Sequence, residues 1–325
     1  MSGKGKNAID MTGGSLWKNI LVFSLPLMMT QMLEVLFNLS DVAIAGKYAD
    51  YIALGAVGST ALLVSLFTGI LIGMGAGVNV RTAHQLGAEK TSGSSETVAR
   101  TVYSGLIVCL IIGIILCLVC NIFARPMLET LKTKDELIES AVLYLKIYAL
   151  GMPAMAVYNF GNGVLSACGE TKKPLVYLSI AGVLNVILNI FFVVVCKKAA
   201  DGVAIASVIA QYLSASMIMC HLLRRKDSCK LRLSNKYFDT SACGGVLMIG
   251  IPTGMQNAIF AVANLFVQTG VNHFDAVMVS GNSAAQNADT LIFNVMAAIY
   301  TACASFISRN HGEGKNDRIL KSYFI

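Results

Sequence analysis

Residues 34–46 read EVLFNLSDVAIAG. Two carboxylates, Glu34 and Asp41, and the amide Asn38 stand in a run built mostly of apolar side chains, and their meaning depends on whether water or lipid surrounds it. The 325-residue chain is 55% apolar and only 13% charged, whereas soluble domains carry about a quarter charged residues. Apolar stretches of about 20 residues recur along it, each long enough to cross a hydrocarbon core of about 30 Å. A backbone in lipid must satisfy its own hydrogen bonds, and helices do so. The chain therefore reads as an all-α, polytopic membrane protein.

Eight apolar segments stand out, at 16–42, 52–80, 98–123, 138–166, 174–196, 202–223, 241–271 and 278–308. An even number of spans leaves both termini on one side. The opposite side then receives only Lys47, Arg125, Lys132, Lys134, Lys146, Lys197 and Lys198 of the 25 basic residues; the other 18, from Lys4 and Lys6 to Lys321, share the side of the termini. Basic residues gather on the cytoplasmic side of membrane proteins, so both termini are expected in the cytoplasm and the chain in a bacterial-type plasma (inner) membrane. The net charge of +7 is then a matter of topology and calls for no nucleic-acid partner. The opening lysines precede an apolar run too long for a signal peptide, which reads as a retained first helix.

Nine cysteines do not make a disulfide framework, because Cys109, Cys117, Cys120, Cys196, Cys220 and Cys303 lie in or beside apolar runs and read as small packing residues. A repeat is more informative. Sliding the sequence by 226 positions lays SLPLMMTQMLEVLFNL (24–39) over GIPTGMQNAIFAVANL (250–265), matching Pro26 with Pro252 and Asn38 with Asn264. After a one-residue gap, Gly87 meets Gly312 and Lys90 meets Lys315. Parallel repeats of this kind mark transporters. They divide the chain into a six-helix lobe over 1–225, a basic linker over 226–239 and the first two helices of a second lobe over 240–325.

On a helix, Gln31, Glu34, Asn38 and Asp41 share one face over about 15 Å of rise. A carboxylate near mid-membrane costs about 3 kcal/mol on insertion scales and so faces a bundle interior or a watery cavity, where it marks an ion or proton path. The competing reading puts Asp41 at the outer interface as a solvated helix end. Asn185 and Asn189 in the fifth segment are four residues apart, as are Ser207 and Gln211 in the sixth. Amides and hydroxyls supply oxygen ligands to a hard cation, but they also tie helices together in any bundle. The seventh segment carries Gln256, Asn257 and Asn264 with no carboxylate, and Asp289 is the acid well inside the eighth. These, with Gln31 and Asn38, are the polar groups expected at a substrate cavity. GMGAGVN (73–79) lacks the strand and spacing of a dinucleotide fingerprint and suits close helix packing, while GEGKN (312–316) lacks the other parts of a phosphate-binding loop.

WKNILVFSLPLMMTQMLEVLFNLSDVAIAGKYADYIALGAVG (17–58), QLGAEK (85–90), GNGVLSACGETKKPL (161–175) and GVAIASVIAQ (202–211) together resemble the multidrug and toxic compound extrusion (MATE) transporters, most closely their bacterial DinF-like branch. That resemblance implies twelve helices in two six-helix lobes, exporting organic cations or other amphipathic compounds by antiport with Na+ or H+, with no other cofactor and no catalytic residues. It implies a cation site in the first lobe. Asp41 matches the aspartate that ends the first helix, and Asn185, Asn189 and Ser207 match its polar partners, a site for Na+ if that is the coupling ion. Glu34 joins this set by helical spacing.

Two departures accompany the match. Position 189 is often aspartate in the family, so Asn189 leaves the choice between Na+ and H+ open. The sequence ends after eight helices, where the family continues for four more. Two other readings compete: a flippase for lipid-linked substrates, which needs a basic cavity, and a truncated membrane protein that does not transport. The sequence leaves oligomeric state undetermined.

Overall fold

The computed structural model describes residues 9–271 and 276–324, so Lys4 and Lys6 of the charge argument lie outside the described residues. The elements are α1 (Leu16–Tyr48), α2 (Tyr51–Ser92), α3 (Ser95–Thr130), α4 (Asp135–Ala149), α5 (Met152–Ala167), α6 (Lys172–Ile190), α7 (Ala200–Arg224), α8 (Thr240–Val271), α9 (Ala276–Gly312) and α10 (Asn316–Tyr323). No strand occurs among the described residues. Among the described residues seven helices are long and apolar enough to cross a membrane, and α4 with α5, taken as one bent span, makes an eighth.

That eighth span is bent by 44°, where continuous hydropathy over 138–166 gives an unbroken segment. Its cause is local: Pro153 has no N–H to donate, and its ring crowds the carbonyl of Ala149 one turn back. The long helices also outrun their apolar windows. Asp50 starts α2 by accepting a hydrogen bond from the Ala53 N–H at 2.8 Å, and Gly93 ends it in the left-handed region at φ 71°, as N-caps and glycine C-caps do.

On α3, the exposed Ile111, Ile115, Leu118 and Ile122 form one face, while Val102, Leu106, Cys109 and Gly113 are buried. An apolar face without a protein partner is the lipid face of a membrane helix. The buried face packs on α2 and α5 around Phe160, Val164 and Leu165. Phe160 is fully buried, and Phe160→Ala is expected to cost about 3–5 kcal/mol, read as a lowered thermal unfolding temperature in detergent.

Segments that flank several helices meet at one end of the bundle. The Ile9 N–H donates to the Gly169 carbonyl, Ser228 reaches Glu89, and Arg309 donates to the Ala167 carbonyl. The linker is packed down: Leu231 is buried and its N–H donates to the Leu222 carbonyl, while Tyr103 donates to Asn235. Cys168 of the α5–α6 turn and Cys229 of this linker lie against each other. The spacing of the cysteines gives no sign of it, because the pair is 61 residues apart and only the packing of the linker brings them together. Cys109 and Cys120 are buried as packing residues, whereas Cys196 and Cys220 are exposed.

Helices α8 and α9 dock on α1 and α2. Residues paired by the 226-position repeat meet across this seam: Asn79 and Ser305 hydrogen-bond to each other at 2.8 and 3.1 Å. Gly87 and Gly312 also touch; a Cβ on Gly87 would lie 2.1 Å from the Arg309 carbonyl oxygen. A Cβ on Gly73 would lie 2.3 Å from the Gly254 nitrogen, so α2 and α8 approach backbone to backbone, as small residues permit in membrane bundles. Phe23 and Phe306 stack edge to face at 5.6 Å. These contacts lie in the basic-side halves of α1 and α2.

Candidate functional site

A cavity of about 980 Å³ lies between α1, α2, α4, α5, α6, α7, α8 and α9. Asp41 lies in its wall, 8% exposed, and is therefore no solvated helix end. Its partners come from sequence positions far away. The Asn189 Nδ2 donates to Asp41 Oδ1, and the Ser207 hydroxyl donates to Asp41 Oδ2 at 3.1 Å. Asn189 also donates to Asn185 Oδ1 at 3.2 Å, and Asn185 donates to the Ser207 oxygen at 3.3 Å. The four side chains close a ring between α1, α6 and α7, with Asn185, Asn189 and Ser207 respectively 5%, 0% and 6% exposed.

The local sequence explains the ring. Four-residue spacing puts Asn185 and Asn189 on one stripe of α6, and α6 packs on both α1 and α7. Directly after Asn189 the helix loosens into a π turn, Phe191–Val195, a feature that occurs mostly at functional sites. The Asn189 Oδ1 is buried without a hydrogen-bond partner among the described residues. Buried polar atoms are normally paired, so this oxygen is available to a ligand. Asp41, Asn185, Asn189 and Ser207 together offer a set of hard oxygen atoms that fits a small monovalent cation, and Asp41 alone suffices for a proton.

Glu34 lies half-buried on the cavity wall and makes no hydrogen bond or ion pair among the described residues. Tyr148 is within electrostatic reach of both Glu34 and Asp41. Gln31, Asn38, Asn257 and Asn264 also line the cavity, whereas Gln256 and Asp289 are exposed and stand outside its wall. Gln256 and Asn257 are neighbours, about 100° apart around the helix; Asn257 turns to α2 and donates to the Gly69 carbonyl at 3.2 Å. The wall further holds Asn159, Asn162 and Ser166 of α5 and Asn294 and Thr301 of α9. Sequence reading missed these, although two asparagines three residues apart in an apolar helix are a visible signal. Glu34 and Asp41 are the only charged side chains among the described lining residues, which include no lysine, arginine or histidine. A second cleft, of about 750 Å³ at the α3–α4 turn, is a surface feature whose Arg125 pairs with Glu129 and Glu139.

The MatE family model matches residues 26–191. The chain is 27% identical over 314 residues to the probable multidrug resistance protein YpnP of Bacillus subtilis (strain 168), covering 96% of this chain and 69% of that protein. It is 24% identical over 314 residues to the FAD transporter of Shewanella oneidensis, covering 94% of this chain and 68% of that one. The crystal structure of MATE in the bent conformation superposes with a TM-score of 0.89 at 20% identity, over 99% of this chain and 71% of that one, a likeness of fold. The chain spans about two thirds of the length of these curated relatives.

Proposed function

The chain belongs to the MatE family, and on that footing we propose that it is the ion-coupling lobe and part of the substrate cavity of a secondary efflux transporter for cationic amphipathic compounds. The observation that carries this reading is the buried carboxylate of Asp41, ringed by three uncharged partners and open to a cavity walled from both halves of the repeat. We take residues 1–225 as the first lobe, 226–239 as the linker and α8 and α9 as the start of the second. The charge asymmetry supports cytoplasmic termini in a plasma (inner) membrane.

The sign of the cavity argues for the substrate class. Two carboxylates in a wall whose described residues include no basic group, beside the aromatic rings of Tyr148, Tyr158, Phe260 and Phe293, suit a flat or branched organic cation. The same wall disfavours a pyrophosphate lipid, and with it the flippase reading. It equally disfavours a dinucleotide of the kind named for the Shewanella relative. Glu34→Gln is expected to raise the KM for a monovalent organic cation about tenfold, as loss of a charged partner does, while leaving a neutral amphiphile unaffected. Dye efflux from everted vesicles containing the protein expressed from its native gene checks this.

Asp41 performs the coupling. Binding of a proton to its carboxylate, or of Na+ with the Asn189 amide turned to present Oδ1, changes the charge of a buried ring shared by three helices. An ion shifts a conformational equilibrium only by binding its two states unequally. The α1–α6–α7 junction meets that need, because the ring exists only while Asn189 and Ser207 both reach Asp41. We read the bonded seam at the end of the termini as the closed gate of an outward-facing state.

A further inference from the structure

We propose that the N-terminal segment 9–14, tied through Glu313 to both halves of the molecule, is the latch of the basic-side gate, with Glu313 as its positioning residue. The proposal rests on the alternating-access reading above: for the cavity to open toward the termini, the two halves must part at this face.

The segment crosses that seam. On the side of the first half, the Ile9 N–H donates to Gly169 at 3.1 Å, and Lys90 of α2 donates to the Thr12 hydroxyl. On the side of the second, Asn310 of α9 donates to the Met11 carbonyl at 3.0 Å, and Arg318 of α10 donates to the carbonyls of Gly13 and Gly14. Met11 is buried in the cluster that holds Phe23 and Phe306. A segment this short and this extensively bonded to both halves cannot follow either one when they separate.

Glu313 joins the parts. It pairs with Lys90 of the first half at 3.2 Å and with Lys315 of the second at 2.9 Å, and Lys315 also donates to the Thr12 carbonyl at 3.0 Å. An isolated exposed ion pair contributes little, but here one carboxylate, 15% exposed, holds two cations that each grip the segment. Burial raises the proton affinity of Glu313, and the hydrogen bonds from Lys315, Lys90 and Thr12 outweigh it, so its pKa is lowered. A lowered value keeps the Glu313 carboxylate charged at neutral pH, so both ion pairs are present there.

Hydrogen exchange read by mass spectrometry, on the protein expressed from its native gene and purified in nanodiscs, tests the latch. Glu313→Gln is expected to speed exchange about tenfold over residues 79–92 and 301–315, to leave α3 to α5 unchanged, and to be largely reversed in Glu313→Asp. Thr12→Val, which alters no helix, is expected to move the same two segments. Unchanged exchange there in both variants, or an equal rise in α3 to α5, overturns the proposal. The readout requires no transport, so it stands apart from a failure of the efflux reading, which would appear as flux insensitive to Asp41.

Discussion

Asp41→Asn is expected to lower gradient-driven efflux at least about tenfold and to abolish its dependence on the coupling ion, with helical content retained. The replacement is nearly isosteric but differs in two ways. It carries no charge, and its amide presents one acceptor oxygen and a donor NH2 where the ring supplies two donors, the Asn189 amide and the Ser207 hydroxyl, to two carboxylate oxygens. To move a two-state equilibrium from 1:99 to 99:1, a ligand must favour one state by about 5.5 kcal/mol. Asn185, Asn189 and Ser207 are neutral and cannot supply a difference of that size for a proton or Na+ without the carboxylate. Restoring a charge inside the same ring, with Asn189→Asp added to Asp41→Asn, is expected to recover part of the coupled flux. Everted vesicles with imposed ion gradients read both. Efflux in Asp41→Asn with unchanged ion dependence contradicts the assignment.

Gly87→Val is expected to push the gate open toward the termini. A Cβ at this position would meet the Arg309 carbonyl oxygen at 2.1 Å, and the obstacle is backbone that no rotamer change removes. Overpacking a tight contact costs about 1–3 kcal/mol, which shifts a two-state population by about 5- to 150-fold. The strain falls only on the closed arrangement, since separation of α2 from α9 frees the new side chain. Modification of Ser305→Cys by a membrane-impermeant maleimide applied from the side of the termini measures this, because Ser305 is buried against Asn79 while the gate is shut. Gly58→Val is the control: it lies in the same helix with nothing within 4 Å of its Cβ position, and it should leave the labelling rate near that of the parent. Equal labelling in the Gly87→Val and Gly58→Val proteins would show that the glycine contact does not hold the gate.

The spans were legible because their apolar length is a thermodynamic requirement that each segment meets alone. The bend between α4 and α5 was less so: hydropathy is blind to backbone geometry, and Pro153 was the only sign of it. Within the site, the shared helical faces of Glu34 and Asp41 and of Asn185 and Asn189 follow from spacing. Which helices those faces meet does not, and the ring that joins Asp41 to α6 and α7 required the fold. Helix rotation explains the remainder. Asn257 and Gln256 are equivalent as sequence but not as positions on α8, and the exposure of Asp289 depends on how α9 leans on α2. The N-terminal segment carried no signal at all, because most of its bonds to the rest of the chain are made through backbone groups.

The most direct test is to reconstitute the protein expressed from its native gene into liposomes, impose a Na+ gradient or a proton gradient separately, and follow a fluorescent organic cation and an organic anion of similar size. We predict that one of the two gradients drives the cation uphill, that collapse of this gradient stops the movement, that the anion is not moved, and that Asp41→Asn eliminates the driven flux. Flux indifferent to both gradients, or driven movement of the anion in preference to the cation, would contradict a cation exporter coupled through Asp41.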